Sequence, residues 1–195
     1  MPSTPRVALL LLALALAASV ASALAPIVIV PCLAGSQIQA KLNKTSVPEP
    51  YCALQSDWFG LWLDVKQMLP GPYQCWAANA PLVYDAATDS VGNVPGVQTR
   101  IVDFGGTDGF DCLDPNFCIA QGSYTKTLTT ALKDAGFIPG ATLFGAPYDW
   151  RYSGASMPEY LDELTVRLRT LTFQLSSTHF FLLACSLVCS VLIRR

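Results

Sequence analysis

The chain has 195 residues, of which 52% are apolar and only 13% are charged, and its formal net charge is −2. That balance excludes an intrinsically disordered segment, which needs low hydropathy and high charge, and it excludes the basic footprint of a nucleic-acid binder. The length admits one domain with a core of its own.

In chain order, Arg6 is followed by an apolar run over residues 7–20, interrupted only by Ser19, and then by Ala21-Ser22-Ala23, a small-x-small cleavage site. Residues 1–23 therefore predict a secretory signal peptide, with the mature chain starting at Leu24. A membrane anchor is the competing reading, but the run is shorter than the roughly 20 residues that span a bilayer. Seven cysteines in an exported chain predict disulfides, with one thiol left unpaired. Asn43-Lys44-Thr45 is an acceptor sequence for N-glycosylation, in keeping with the secretory pathway. With a single His and no metal-ligand spacing, neither a metal nor another cofactor is expected.

Ile27-Val28-Ile29-Val30 reads as a buried strand that ends at Pro31 and leads into a loop over residues 32–37. Residues 47–98 are rich in Pro, Gly and aromatics with weak periodicity, so they read as a long excursion from the core. Residues 99–104 alternate as a strand and stop at Gly105-Gly106. Tyr124, Leu128, Ala131, Leu132 and Ala135 recur at helical spacing, with Gly136 where the helix would end. Leu143 and Phe144 close another strand before Pro147. Ser156 and Glu159 form a capping-box pattern ahead of a stripe of Leu161, Leu164, Leu168 and Leu171. Residues 180–184 form a last apolar strand. Strands alternating with helices predict an α/β domain on a mostly parallel sheet.

Ala184-Cys185-Ser186-Leu187-Val188 follows that strand as an altered copy of a nucleophile elbow, Gly-x-Ser-x-Gly, in which small residues let a strand turn sharply into a helix. Ala184 is small, but Val188 stands where the second glycine is wanted, and a β-branched side chain resists unusual backbone angles. The competing reading makes residues 180–193 a membrane anchor or read-through sequence, again short of a span. The sequence carries no Asp, Glu or His after Ser186, although an α/β-hydrolase triad runs in the order Ser, acid, His. As written, the residues are expected to complete no triad. His179, the only histidine, precedes Ser186 and is expected to be packed or solvated.

Several stretches together resemble the family of lecithin:cholesterol acyltransferase and lysosomal phospholipase A2. They are Ile29-Val30-Pro31-Cys32-Leu33-Ala34-Gly35-Ser36-Gln37 with Ala40-Lys41-Leu42, then Trp62-Leu63-Asp64, Cys75-Trp76, Val83-Tyr84, Pro95-Gly96-Val97-Gln98 and Phe104-Gly105. The most specific is Ala146-Pro147-Tyr148-Asp149-Trp150-Arg151. Order and spacing hold from about residue 26 to about residue 186, and Ser186 lies 35 residues beyond Arg151, close to the family's separation. The family usually has His before the serine, where Cys185 stands, Gly where Val188 stands, and Gly at Cys32.

The resemblance implies an α/β-hydrolase fold, with residues 24–195 its incomplete N-terminal portion. The implied activity is that of a lipid O-acyltransferase or phospholipase A acting on phospholipid acyl esters through a serine acyl-enzyme. Ser186 would be the nucleophile position, and the backbone amides of Leu33 and Leu187 the oxyanion donors. With Cys185 and Val188 the chain as written is expected to be inactive. The resemblance also implies a Cys52–Cys75 disulfide that closes a lipid-facing loop carrying Trp58, Phe59, Leu61 and Trp62; a cap packed on the core is the other reading of that loop. Residues 105–123 would form a lid segment, or mere glycine-rich turns, with Cys112 and Cys118 a possible second pair. Cys32 is expected to be a buried or unpaired thiol, and Asp149 with Arg151 a structural ion pair.

Expected partners are a phospholipid membrane or lipoprotein surface, with a lipid alcohol or water as acyl acceptor and no nucleic acid. The expected compartment is secreted or lysosomal. Two rival readings are a non-catalytic lipid-surface binding protein and a product that does not fold.

Overall fold

The computed structural model describes residues 24–118, 123–174 and 181–184. Residues 1–23, read as the signal peptide, lie outside them, as do residues 119–122 of the segment read as a lid. The described strands are β1 Ile27–Val30, β2 Ile38–Asn43, β3 Gln55–Trp62, β4 Leu82–Asp85, β5 Ser90–Asn93, β6 Val97–Ile101, β7 Leu143–Gly145 and β8 Phe181–Ala184. The helices are α1 Pro72–Ala77, α2 Asp108–Asp111, α3 Lys126–Asp134 and α4 Pro158–Gln174.

β1 lies between β7 and β8, parallel to both. All four residues of Ile-Val-Ile-Val are buried, and side-chain alternation sends them to opposite faces of the sheet. Val28 and Val30 pack with Phe144, Tyr148, Leu164 and Leu171. Ile27 and Ile29 pack with Phe110 and Leu143, flanked by Leu132 and Phe137. Helices thus cover both faces, as a strand without polar alternation requires. Each such side chain contributes about 1.5–3 kcal/mol by leaving water. A Cβ on Gly145 would collide with the Gly106 carbonyl and the Phe110 ring, so β7 needs glycine where the strand meets the loop before α2.

A second, antiparallel sheet runs in the order β3-β2-β6, and β4-β5 forms a separate hairpin. The excursion expected over 47–98 therefore contributes β3 to a sheet: Ile38, Ala40, Leu42, Leu61 and Val97 make a core of their own beneath it. Trp150 packs against this cluster and against the one under β1, tying the two sheets together. The strand expected over 99–104 begins and ends earlier, at Val97–Ile101, because Val97 pairs with Leu42 and the chain turns at Asp103, φ 55°.

Two helical details correct the sequence reading. Along α3 the expected apolar stripe is not the buried face: Tyr124, Leu128, Ala131 and Ala135 are exposed, while Thr129 is fully buried. The reason is Asp111, a buried carboxylate that takes hydrogen bonds from Thr107 Oγ1 at 3.0 Å, Thr125 Oγ1 at 3.2 Å and Thr129 Oγ1 at 2.6 Å, with Lys133 Nζ at 3.5 Å. Partners for a buried charge outweigh burial of a leucine. At α4 the expected stripe does face the core through Leu164, Leu168 and Leu171, with Leu161 half-buried. Its start, however, is set by Pro158 at the first helical position. Leu161 N–H donates to Met157 O at 3.1 Å, and Ser156 Oγ bonds Ser153 Oγ instead of forming a capping box.

Candidate active site

Beyond Val30 the chain leaves the sheet through Pro31 into a tight turn over residues 32–35, closed by Gly35 N–H to Cys32 O at 2.8 Å. Ala34 sits at φ 63°, a left-handed conformation that costs a non-glycine residue on the order of 1 kcal/mol. The surrounding structure holds it there. Trp62 Nε1 donates to Ala34 O at 2.8 Å, Cys32 N–H to Tyr124 Oη at 3.2 Å, and Tyr148 N–H to Ser36 Oγ at 3.1 Å. Ser36 is completely buried, and Gln37 N–H donates to Gly109 O at 2.8 Å. Gly35 is required here, since a Cβ would crowd the Tyr124 ring and the Cys32 carbonyl.

Leu33 projects from this turn, 57% exposed, and nothing among the described residues accepts from its backbone N–H. The neighbouring Ala34 N–H likewise has no acceptor among the described residues, so the tethered turn presents two adjacent unengaged amides. At its side the last residue of β8, Ala184, pairs with Val30. Ser186, Leu187, Cys185, Val188 and His179 lie outside the described residues. Cys32 is not a free thiol, contrary to the sequence reading: it is disulfide-bonded.

The expected Cys52–Cys75 disulfide and the possible second pair, Cys112–Cys118, are both present, with Cα–Cα separations of 5.4 and 5.3 Å. Of the four residues named as lipid-facing, Leu61 is buried and the other three are half-buried. Leu61 is 1% exposed, a correction whose cause is strand pairing: β3 alternates, and Leu61 points into the core beneath the antiparallel sheet. Phe59 is partly buried against the same core. Trp62 is half-buried, edge-on to Trp150 at 5.0 Å and bonded to Ala34 O. Trp58 is half-buried beneath the Arg100 guanidinium, 4.3 Å from its ring centroid. The exposed apolar side chains of this region are Tyr51, Leu54, Val65, Leu69 and Tyr73. They stand in segments without period, where no alternation separates an inner from an outer face.

Asp149 and Arg151 form the expected structural pair, with Nη2 to Oδ2 at 2.6 Å and Nε to Oδ1 at 2.9 Å. The guanidinium also donates to Ala80 O at 2.8 Å, Asn93 Oδ1 at 2.8 Å and Thr99 Oγ1 at 3.1 Å, so one side chain joins the loop after β7 to β5 and β6. Tyr160 donates to Ala146 O at 3.0 Å, and burial, with Tyr148 nearby, pushes its phenol well above the ordinary tyrosine range. Asn43, the glycosylation acceptor, is exposed at the end of β2. Among the described residues no group of His, Cys, Asp and Glu is arranged to hold a metal, and no helix is long and apolar enough to cross a membrane.

A family model described as lecithin:cholesterol acyltransferase matches residues 58–194. Over 140 residues the chain is 36% identical to phosphatidylcholine-sterol acyltransferase of Papio anubis and of Homo sapiens, covering 71% of this chain and 31% of each relative. It is 39% identical over 144 residues to lysosomal phospholipase A and acyltransferase of Canis lupus familiaris, covering 73% of this chain and 35% of the relative. The chain thus spans about a third of the length of the curated relatives it matches.

Proposed function

The chain belongs to the lecithin:cholesterol acyltransferase family, and from that premise we propose that it carries the oxyanion loop and the nucleophile strand of a lipid O-acyltransferase or phospholipase A. The scaffold is the start of an α/β-hydrolase fold. In this chemistry a serine at position 186 attacks the acyl ester of a phospholipid, a histidine takes its proton, and an acid orients the imidazole. The tetrahedral oxyanion is met by the amides of Leu33 and Leu187, and losing one such donor costs about 2.7–4 kcal/mol of barrier. A lipid alcohol or water then removes the acyl group.

The observation that carries this reading is the unengaged Leu33 amide on a turn tethered from three sides, next to the strand that runs toward Ser186. Cys185 and Val188 leave the elbow itself unfit for turnover. The exposed Tyr51, Leu54, Val65, Leu69 and Tyr73 favour a second reading, in which the chain binds a phospholipid or lipoprotein surface without performing the chemistry. The Cys52–Cys75 and Cys112–Cys118 bonds support an oxidising compartment, secreted or lysosomal.

A fluorophosphonate probe separates the two readings. With Cys185 and Val188 in the elbow we expect the chain to remain unlabelled while it binds phosphatidylcholine vesicles, the result that supports the second reading. Labelling that disappears in Ser186→Ala would show a working elbow and overturn the expected inactivity.

A further inference from the structure

Asn43 ends β2 with its backbone fixed: its N–H donates to Gly96 O at 2.8 Å, and the residue pairs with Gln55 of β3. Leu42 and Val97 are buried beneath the antiparallel sheet, so strand alternation sets their neighbours Lys41, Asn43 and Gln98 on its solvent face. Beside them the register of β3 slips. Phe59 faces Ala40 and Ser56 faces Leu42, so Asp57 and Trp58 together stand opposite Lys41, the two-against-one count of a β-bulge. At this end of the sheet all three strands border an open cleft of about 750 Å³, with Lys41, Asn43, Gln55, Asp57 and Gln98 along it. That volume is within the roughly 300–1,000 Å³ of small-ligand sites. The side chains of these five residues hydrogen-bond to no described residue, so their donors and acceptors are available to a ligand rich in hydroxyls. Lys41 and Asp57 are the only charged residues lining the cleft, and their charges cancel, which suits a neutral ligand better than an ion.

We propose that Asn43 carries an N-linked glycan whose first sugars lie in this cleft, across β3, instead of extending into solvent. The acceptor sequence Asn43-Lys44-Thr45 puts the attachment point on the wall of a site whose chemistry fits a sugar. In attachment the Asn43 amide nitrogen bonds to C1 of the first sugar of a lipid-diphosphate-linked oligosaccharide of the secretory pathway. The C1–O bond breaks, its electron pair leaves on the diphosphate, and the nitrogen gives up one proton. Tethering then makes docking intramolecular, so individually weak hydrogen bonds to Gln55, Asp57 and Gln98 suffice to hold the sugars. The docked glycan also has a use in the fold. β3 is an edge strand of its sheet, and an unpaired edge is a template for association that a bulge and a bulky, solubilising cover both blunt.

The proposal rests on passage through the secretory pathway and not on acyl transfer. The test uses the full chain secreted from a eukaryotic host and an amidase that releases N-glycans. Peptide mapping should show that Asn43 was modified; an unmodified Asn43 overturns the proposal. Release from the folded chain should be about tenfold slower than from the folded double variant Asp57→Ala, Gln98→Ala, which keeps the acceptor sequence but loses two groups that hold the sugar. Equal rates overturn the docking. If circular dichroism shows the variant unfolded, the parent chain decides alone. Removing its glycan should raise amide exchange over residues 55–58 about tenfold while residues 27–30 stay unchanged, and unchanged exchange over 55–58 overturns the docking. None of these readouts involves Ser186, so failure here and failure of the acyl-transfer reading give different results.

Discussion

Arg151 shows how much one side chain can hold. Its side chain is 7% exposed and makes a two-pronged pair with Asp149 while satisfying acceptors on two other elements. Removing one partner of such a pair leaves a buried charge, which typically costs about 3–5 kcal/mol. Arg151→Met should therefore lower the stability read from urea denaturation by about that amount, and Arg151→Lys should recover little, because an ammonium cannot span the same acceptors. Tyr160 gives a pH signature. Its phenol titrates higher in the folded chain than in the unfolded one, so the unfolded state loses its proton first and stability falls as pH rises through the ordinary tyrosine range. Stability measured across alkaline pH should decline there, and Tyr160→Phe should flatten the decline while costing about 1 kcal/mol at neutral pH for the lost bond to Ala146 O.

Among the elements, those with a single strong period were legible in the sequence. The Ile27–Val30 run had to be buried on both faces, and the leucines of α4 had one direction to face. What failed was governed by partners distant in sequence. Asp111 turned α3 onto its threonine side, and nothing in the helix's own residues signals a carboxylate waiting 14 to 18 positions earlier. β3 was hidden because its sequence carries no clear apolar alternation, and it is pairing with β2 that sets which of its side chains, Leu61 above all, is buried. At the site the same limit holds: the motif residues around Leu33 were visible, but the Trp62 indole bond that supports Ala34 spans 28 positions. Trp62→Phe keeps the aromatic packing and removes that bond alone. We expect a loss of about 1 kcal/mol and faster amide exchange over residues 33–36; unchanged exchange would mean that Ala34 is held by the turn itself.

For the whole molecule, two sheets meet at Trp150, and the turn carrying Leu33 is tied to both the disulfide-closed segment and the loop after β7. Exposed apolar side chains at Tyr51, Leu54, Val65, Leu69 and Tyr73 lie in and beside that closed segment, which is linked to the turn through the Trp62 indole. This arrangement suits a chain that meets a lipid surface, because apolar residues that fold does not bury can enter the interface while the core stays intact. The most direct measurement is flotation of the full chain with phosphatidylcholine vesicles, set against the double variant Leu69→Glu, Tyr73→Glu. The chain should float and the variant, still folded by circular dichroism, should stay in the dense fraction. Flotation of both, or of neither, would contradict a lipid-facing role for this surface.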